Sequence, residues 1–379
     1  MAGSRTRERI YLDNAATSYP KPAEVVRAVC GTMEKIGGNP GRAGHFGALC
    51  GGRIIAKCRE AIGMLLGDER FERAVFTLNC TDALNLAIKG TLRQGDEVLV
   101  SPFEHNAVMR PLARLERAGQ IVIRVLLPDK DGHLSAASVR QAVGPRTALC
   151  VLSHASNVSG IVQPAREIAD ACHAFGVPLL LDAAQTAGTE DLSATRADMI
   201  AFPGHKGLLG PMGTGVLYVG QMRPRPLREG GTGSQSDSLF QPSSLPDRYE
   251  SGTLNLPGLA GLLQGVRYVL PVREDIRAQE QALLSRLKEG LLNLRGVSLL
   301  GAQDAPRAGL VSFNLSDRDS GEIADALSEQ RIAVRGGLLC APSAHAFSGT
   351  LGAVRVSVGP FNTRGDIDAL LSAVRALAR

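Results

Sequence analysis

The sequence predicts an α/β protein of two domains, a large one on a mostly parallel sheet over residues 1–255 and a smaller C-terminal α+β one over residues 256–379. Apolar strand-like runs alternate with helix-like segments over residues 74–220. This alternation is typical of a mostly parallel sheet that is covered on both faces. After a Gly/Ser-rich segment at residues 229–238 the pattern changes, which indicates a second unit.

Five buried strands are predicted for the large domain, because each run is short, apolar and rich in Val, Ile and Leu. They are RAVFTL (73–78), DEVLVS (96–101), IVIRVLLP (121–128), TALCVLSH (147–154) and VPLLLDAA (177–184). Helical patterns lie between them at residues 81–92 and 165–175. Ligands of such sheets bind at the carboxyl ends of the strands, so polar residues at those ends are candidates for function.

The sequence of the C-terminal part predicts a long helical stretch near residues 257–294, followed by short strands and helices. The segments that indicate this smaller unit are AGLVSFNL (308–315), GEIADALSEQ (321–330), RIAVRGG (331–337) and GAVRVSVG (352–359). Neither an internal repeat nor a low-complexity segment interrupts the pattern.

Composition argues against several classes of protein. Hydrophobic residues make up 44% and charged residues 21%, as in soluble globular proteins. The net charge of +5 is spread along the chain, so no nucleic-acid partner is expected. No apolar run approaches the roughly 20 residues that span a bilayer, and no signal peptide is expected. Seven cysteines without Cys-x-x-Cys spacing argue against disulfides and against a metal site, and they predict a reducing, cytoplasmic setting.

Polar side chains collect where the predicted strands end. They are Glu104 and His105, His154 and Asn157, Asp182 and Gln185, and, where a strand passes into a helix, Cys80 and Thr81. The free N–H groups and the dipole of a helix start favour an anion such as phosphate. The sequence therefore predicts an acid, an amide, an imidazole and an anion site at one edge of the sheet.

Lys206 belongs to the same edge, in the glycine-rich stretch IAFPGHKGLLGPMGTGVLYVG (200–220). The combined groups match the needs of pyridoxal phosphate. This cofactor requires a lysine for its aldehyde, an acid for its ring nitrogen, a helix start for its phosphate and a flat group against its ring. Burial would lower the pKa of Lys206, and the neutral amine is the form that condenses with an aldehyde.

The chain resembles the class V aminotransferase family of fold-type I pyridoxal phosphate enzymes, in its cysteine desulfurase and selenocysteine lyase branch. The motifs that carry the resemblance are LDNAAT, EH, SNVSG, LLLDAAQ, GHKGLLGPMGTGVLYV, YESGTLN and RGGLLCAP. They occur in the family's order between Tyr11 and Thr363. The resemblance implies a homodimeric enzyme of that fold with pyridoxal phosphate as its cofactor.

The resemblance also implies a role for each site residue. Lys206 would bind the cofactor and move the substrate's Cα proton, while His105 would stack on the ring and shuttle protons. Asp182 would pair with the ring nitrogen and Gln185 with the phenolate oxygen. The remaining assignments are Thr81 and His205 to the phosphate, beside the helix start at Cys80, and Asn157 and Arg355 to the substrate carboxylate.

Cys340, in the motif RGGLLCAP, stands where desulfurases carry a nucleophilic thiol. The resemblance thus implies conversion of L-cysteine to L-alanine, with the sulfur left as a persulfide on Cys340 for a protein acceptor. A selenocysteine lyase is the first alternative, and a C–S lyase, racemase or aminotransferase that does not use Cys340 is another. A degenerate cofactor-binding sulfur-relay partner is the non-enzyme alternative, although Lys206, Asp182 and Arg355 argue against it.

Two positions depart from the family's pattern. Pro203 stands where a serine or threonine usually donates to the phosphate, and proline has neither a hydroxyl nor an N–H. Hydroxyls of the neighbouring subunit are expected to compensate, from Thr232, Ser234 or Ser236. Leu338 and Leu339 stand beside Cys340 where relatives often have histidine. Apolar neighbours disfavour a thiolate, so slow persulfide formation is expected.

Overall fold

The computed structural model describes residues 9–40, 44–316 and 318–378. Its strands are β1 Ile10–Tyr11, β2 Ala74–Thr77, β3 Asp96–Val100, β4 Ile121–Val125, β5 Thr147–Ser153, β6 Leu179–Asp182, β7 Met199–Pro203, β8 Gly215–Tyr218, β9 Val297–Leu299, β10 Leu310–Leu315, β11 Ile332–Ala333 and β12 Val354–Ser357. Its helices are α1 Ala23–Lys35, α2 Phe46–Leu66, α3 Cys80–Thr91, α4 Asn106–Arg117, α5 Ala136–Ala142, α6 Ala165–His173, α7 Leu256–Val269, α8 Arg273–Leu292, α9 Ser320–Glu329, α10 Pro342–Phe347 and α11 Arg364–Leu377. Over the described ranges, no helix has the length and apolar character needed to cross a membrane.

The large sheet has seven strands in the order β2-β8-β7-β6-β5-β3-β4. The five strands from β7 to β4 are parallel, and β8 runs antiparallel to both of its neighbours. The predicted mostly parallel sheet is therefore confirmed, and it contains all five predicted strands. Two further strands, β7 and β8, flank Lys206 in a stretch that the sequence indicated only as a glycine-rich turn.

Helices cover both faces of this sheet. Along β5, Leu149 and Val151 pack into a core with α3 and α4, whereas Cys150 and Leu152 pack into a core with α2, α6 and α7. Successive side chains of a strand point to opposite faces, and here both faces are apolar. This arrangement explains why the strands appear in the sequence as continuous apolar runs.

The C-terminal part forms a separate three-stranded antiparallel sheet, β12-β10-β9, which packs against α8, α9 and α11. The N-terminal segment joins it, because β1 pairs in parallel with β11 and Leu12 lies in the same core. The predicted stretch 257–294 is divided into α7 and α8 by a 3-10 turn at Leu270–Val272. Pro271, within that turn, cannot donate the backbone hydrogen bond that would continue the helix.

Helix α7 packs against α1 and α2 and contributes to the core under the large sheet. A domain boundary at residue 255 stays a prediction. The packing of α7 favours a later boundary, near the start of α8.

Candidate active site

The carboxyl ends of the large sheet's strands surround a cavity of about 120 Å³. The predicted site residues that line it are Cys80, Thr81, His105, Asn157, Asp182, Gln185, His205 and Lys206. The two others, Arg355 on β12 and Cys340 before α10, come from the C-terminal part and do not line this cavity. The structure thus brings the residues of the strand ends together and adds Arg355 and Cys340 from the second unit.

Two strand-end residues that the sequence indicated lie outside the cavity. The carboxyl group of Glu104 is fully buried and accepts hydrogen bonds from Ser101 and Ser153. The ring of His154 is buried as well, with its Nδ1 atom 3.0 Å from the Thr186 hydroxyl. Both side chains are held by polar partners away from the cavity.

Lys206 lies in a tight turn between β7 and β8. The Leu209 N–H donates to the Lys206 carbonyl at 2.9 Å, and Leu209 adopts a positive φ of 56°. A side chain at Gly207 would overlap the carbonyl of Ala187 in the neighbouring segment, so this position requires glycine. The turn therefore holds the Lys206 backbone in a fixed place against the sheet edge.

The surroundings of Lys206 disfavour its ammonium form. Burial lowers the pKa of Lys206, the positive charge of Arg355 lowers it further, and the negative charge of Asp182 opposes these effects. Desolvation favours the uncharged form of an amine. A larger fraction of Lys206 is consequently neutral near pH 7, and the neutral amine is the form that adds to an aldehyde or takes up a proton.

Asp182 ends β6 and is buried beside the cavity. Its Oδ1 atom accepts a hydrogen bond from the Ala184 N–H at 2.9 Å, and the Cys80 Sγ atom lies 3.7 Å from the same oxygen. The neighbouring Gln185 donates from Nε2 to the Ala15 carbonyl at 3.2 Å. An acid in this position can pair with a cationic ring nitrogen at the cavity wall.

The start of α3 forms the other end of the cavity. Asn79 caps the helix by accepting a hydrogen bond from the Asp82 N–H at 2.9 Å, so the first N–H groups of the helix are aligned toward the cavity end. A side chain at Gly215 would overlap the backbone of Asn79, which explains the glycine that begins β8. Nearby, the buried Nδ1 atom of His205 has no hydrogen-bond partner among the described residues. An anion such as phosphate can satisfy these donors.

His105 caps helix α4 at the cavity. Its Nδ1 atom accepts a hydrogen bond from the Ala107 N–H at 3.0 Å, so the neutral ring carries its proton on Nε2. Burial lowers the pKa of His105, and the negative charge of Asp182 partly opposes that effect. The ring is therefore mainly neutral near pH 7, with a single donor on Nε2.

Arg355, on β12, is almost completely buried next to the cavity. Its Nη2 atom donates to Asp13 Oδ1 at 2.8 Å, and its Nη1 atom donates to the Asn157 carbonyl at 3.2 Å. The Nε atom is buried and has no partner among the described residues. A buried guanidinium with an unused donor suits a carboxylate ligand, which binds a planar fork of N–H groups.

Cys340 lies in a tight turn that is attached to the cavity wall. The Ala341 N–H donates to the Leu338 carbonyl at 3.0 Å, and both residues between them, Leu339 and Cys340, have positive φ angles. Cys340 is exposed, whereas Leu339 is buried in a separate apolar cluster. Of the two neighbouring leucines, Leu339 is thus directed into the protein, whereas Leu338 is half-exposed like the turn itself, and slow persulfide formation stays a prediction.

Lys21 is a candidate that the sequence did not indicate. Its Nζ atom donates to the His205 carbonyl at 2.8 Å, where the Thr17 and Ser18 hydroxyls also donate. Burial lowers the pKa of Lys21 to about 8. These donors fix the peptide that precedes Lys206, and only the folded chain brings them there from the N-terminal segment.

Comparison with known proteins agrees with the fold. The sequence model of the Aminotransferase class-V family matches residues 10–370. Probable cysteine desulfurases from Methanothermobacter thermautotrophicus and Pseudomonas aeruginosa are 33% and 35% identical over 98% and 94% of this chain, which correspond to 95% and 91% of those relatives. The structure of a cysteine desulfurase from Thermococcus onnurineus has a TM-score of 0.91 and 31% identity, over 98% of this chain and 95% of that one. The fold is that of the fold-type I pyridoxal phosphate enzymes, as predicted, and the chain belongs to the class V aminotransferase family of enzymes.

Proposed function

We propose that this protein is a pyridoxal phosphate-dependent cysteine desulfurase, which converts L-cysteine to L-alanine and retains the sulfur as a persulfide on Cys340. The attachment of the thiol turn to the cavity carries the proposal. The N–H of Asn106, next to His105, donates to the Cys340 carbonyl at 2.8 Å. The side chain of Asn157 donates to the Leu339 carbonyl at 2.6 Å. An exposed thiol is thereby held at the edge of the cavity that contains the reactive lysine.

The residues of the cavity fit pyridoxal phosphate. Its phosphate would satisfy the unpartnered His205 Nδ1 and the N–H groups at the start of α3, with Thr81 as a hydroxyl donor. Asp182 would pair with the ring nitrogen, and the neutral ring of His105 would stack on its face. When bound, the cofactor withdraws electrons from the substrate's Cα. Pro203 lines the cavity without contributing a donor, so the other groups must supply the phosphate contacts.

Arg355 and Asn157 are the proposed contacts of the substrate carboxylate. The unused Nε–H of Arg355 supports this role, since a buried donor without a partner costs about 1–3 kcal/mol until a ligand accepts from it. Asp13 accepts from the Nη2 atom and thereby orients the guanidinium. One N–H of the Asn157 amide donates to the Leu339 carbonyl, and the second N–H is the donor proposed for the substrate carboxylate.

Besides the electron withdrawal that pyridoxal phosphate would supply, the proposed chemistry needs only residues of the site and of the thiol turn. The neutral Lys206 amine takes the Cα proton of the bound substrate. The Cys340 thiolate then forms a bond to the substrate sulfur as the carbon–sulfur bond breaks. One enzyme thiol and one cysteine together become one enzyme persulfide and one alanine, so neither an external oxidant nor a reductant is required.

A comparison of substrates tests the reaction. Wild type, Cys340→Ser and the exposed control Lys130→Ala are given L-cysteine or L-selenocysteine, and alanine release and the intact mass of the enzyme are measured. We expect one added sulfur atom on Cys340, and we expect Cys340→Ser to lose alanine production from cysteine. Full activity of Cys340→Ser on cysteine would contradict the proposal and leave a lyase or aminotransferase. Activity on selenocysteine alone, in the wild type, would favour a selenocysteine lyase.

A homodimer is part of the proposal. Helices α1 and α2 both pack on α7 and expose large apolar side chains, among them Met33, which is 72% exposed, and Phe46, which is 79% exposed. Apolar patches of this kind on a chain usually mark an interface. Sedimentation equilibrium of wild type and Phe46→Asp tests it, because the substitution should shift the dimer toward monomer. A wild type that stays monomeric would contradict this part.

The hydroxyls expected to reach a neighbouring cavity lie away from the cavity of their own chain. Thr232 and Ser234 contact each other, and Ser234 donates to Asp247. Neither these residues nor Ser236 line the cavity that contains Lys206. Their contribution to the partner's phosphate site therefore remains a proposal that depends on the dimer.

The exposure of Cys340 supports transfer of its sulfur to a protein acceptor. All seven cysteines are free thiols. A reducing, cytoplasmic compartment keeps such thiols available, and we include that location in the proposal.

A further inference from the structure

Cys80 contacts the acid that we propose as the partner of the cofactor's ring nitrogen. Its Sγ atom lies 3.7 Å from Asp182 Oδ1, the same oxygen that accepts from the Ala184 N–H at 2.9 Å. Within the described residues, no hydrogen bond reaches the other oxygen, Oδ2. The two donors therefore occupy one side of the carboxylate and leave the other side for a ligand in the cavity.

The thiol of Cys80 stays protonated in this position. Burial, and then the negative charge of Asp182, raise the pKa of Cys80 well above its ordinary value. An S–H group next to a carboxylate can only donate, since the carboxylate has no proton to give. Cys80 thus acts as a hydrogen-bond donor to Asp182 throughout the neutral range.

The position of Cys80 in the fold links two parts of the cavity. It is the first residue of α3, directly after the cap Asn79, so its backbone belongs to the proposed phosphate site while its side chain reaches Asp182. Asp182 itself is fixed at the end of β6. A shift of the helix start would therefore change the direction of the carboxylate as well.

We propose that Cys80 is a positioning residue for Asp182: its thiol and the Ala184 N–H hold Oδ1, and Oδ2 is thereby aimed at the ring nitrogen of the cofactor. The inference rests on the proposed function, because it requires pyridoxal phosphate in the cavity. It assigns to the thiol of Cys80 a role that differs from contact with the phosphate.

Cys80→Ala removes the donor, Cys80→Ser keeps a donor in nearly the same place, and Lys130→Ala is a control at an exposed position outside the cavity and outside α1 and α2. Two properties are measured on the purified proteins, the affinity of the cofactor-free form for pyridoxal phosphate and the pH midpoint of the bound cofactor's absorbance. Loss of one hydrogen bond corresponds to a change of about two- to tenfold. We expect Cys80→Ala to bind pyridoxal phosphate more weakly by this factor, and we expect the other two variants to bind it with nearly the affinity of wild type.

The pH midpoint separates positioning from packing. Without an aligned carboxylate the ring nitrogen of the cofactor would lose part of its positive charge. The nitrogen of Lys206 that is bonded to the cofactor should then keep its proton to higher pH, so the pH midpoint should rise by up to about one pH unit. If Cys80→Ala has the same cofactor affinity and the same pH midpoint as wild type, this inference is overturned while the proposed function stands. A Cys80→Ser variant that behaves like Cys80→Ala would also overturn it, by showing that the sulfur acts through packing. A wild type that binds no pyridoxal phosphate would overturn the proposed function together with this inference.

Discussion

The cavity at the sheet edge and the turn that carries Cys340 differ in how they are built. The cavity residues follow strand ends and helix starts, and glycines such as Gly207 and Gly215 let backbone segments approach closely. The thiol turn is short, exposed at Cys340 and attached from the second unit. In the proposed reaction, the cavity must hold a cofactor rigidly, whereas the thiol must reach both a substrate and an acceptor.

The thiol turn is also the more strained region. Two consecutive residues without glycine, Leu339 and Cys340, have φ angles of 53° and 57°. Each such residue costs about 1–2 kcal/mol relative to an ordinary conformation. Hydrogen bonds from Asn106, Asn157 and Ala341 hold the turn in place. Loss of one of these contacts would release strain, so the turn is suited to move, whereas the cavity is not.

The largest expected effect comes from Lys206→Ala, which should abolish turnover because the cavity loses the amine that we propose binds the cofactor. Borohydride reduction followed by peptide mapping measures the attachment, and the exposed Lys130→Ala variant is the control. We expect a stable adduct at Lys206 in wild type and in the control, and none in Lys206→Ala. A reduced adduct at another lysine, such as Lys21, would mean that the reactive lysine was assigned wrongly.

Arg355→Ala tests the proposed contact with the substrate carboxylate, where the C-terminal unit meets the cavity. Truncation of a buried, hydrogen-bonded charge typically costs about 2–5 kcal/mol, and we expect a loss of that size in kcat/KM for L-cysteine. The cofactor content should remain normal, because Arg355 lies outside the cavity lining. Steady-state kinetics and cofactor absorbance measure the two quantities.

Asp13→Asn separates substrate binding from loss of the buried ion pair. This variant removes the charge that faces Arg355 but keeps the guanidinium and a hydrogen-bond acceptor. A much smaller kinetic loss than in Arg355→Ala is expected. Equal losses in both variants would assign the effect to the ion pair rather than to the substrate carboxylate.

The contrast between the regions explains what the sequence could predict. Strand periodicity located Asp182 and the start of α3, and the geometry of parallel sheets then implied that they share an edge. Strands β7 and β8 were missed because glycines and Pro203 surround Lys206 and obscure the strand pattern. The helical stretch predicted near residues 257–294 is helical in the structure, but its division into α7 and α8 at the 3-10 turn that contains Pro271 was not predicted.

No local sequence pattern indicated the conformation of the thiol turn or its contacts. Positive φ angles normally select glycine or asparagine, and neither Leu339 nor Cys340 gives that signal. The pairing of Arg355 with Asp13 and the contact of Lys21 with the His205 carbonyl join residues that are far apart in the chain. Such contacts depend on tertiary packing, which periodicity and composition do not encode.

The thiol turn can be tested with histidine at either leucine. Since relatives often have histidine beside the thiol, a histidine at Leu338 or Leu339 is expected from the sequence to favour the thiolate of Cys340. In the structure, Leu338 is half-exposed, whereas Leu339 is buried in an apolar cluster. Leu338 is therefore the position at which a histidine can stand beside the thiol without disturbing the core. We expect Leu338→His to change stability by at most about 0.5 kcal/mol. It should raise persulfide formation severalfold at pH 7, since a nearby imidazolium favours the thiolate.

Leu339→His is the matched comparison. It places an imidazole in an apolar cluster and should lower the free energy of unfolding by about 2–5 kcal/mol, as other losses of buried leucine do. Denaturant unfolding and single-turnover persulfide formation measure the two effects. The reverse pattern, with a stable Leu339→His and an unfolded Leu338→His, would contradict the described turn.

The last expected effect is on stability alone and concerns Glu280 of α8, where the C-terminal unit meets the back of the site. Glu280 is buried and shares a cavity of about 50 Å³ with Lys206 and Gln185. Burial, together with the negative charge of Glu190, raises the pKa of Glu280 to about 8. Glu190 is itself paired with Arg277 of α8. The carboxyl group of Glu280 is therefore protonated in the folded protein near pH 7.

Proton binding by Glu280 gives the protein's stability a definite dependence on pH. The folded-state pKa of about 8 lies above the ordinary value of 4.5, so the folded protein holds one more proton than the unfolded chain between these pH values. The free energy of unfolding should then fall as pH rises through this window and level off above pH 8. Glu280→Gln stays neutral, so it should lack this decrease and gain roughly 1–3 kcal/mol over wild type between pH 6 and 9. Denaturant unfolding across that range measures the difference, with the exposed Glu289→Gln on the same helix as control. Parallel pH profiles for wild type and Glu280→Gln would mean that this carboxyl group is already ionised in the folded protein, and that water or an ion in the cavity compensates its charge.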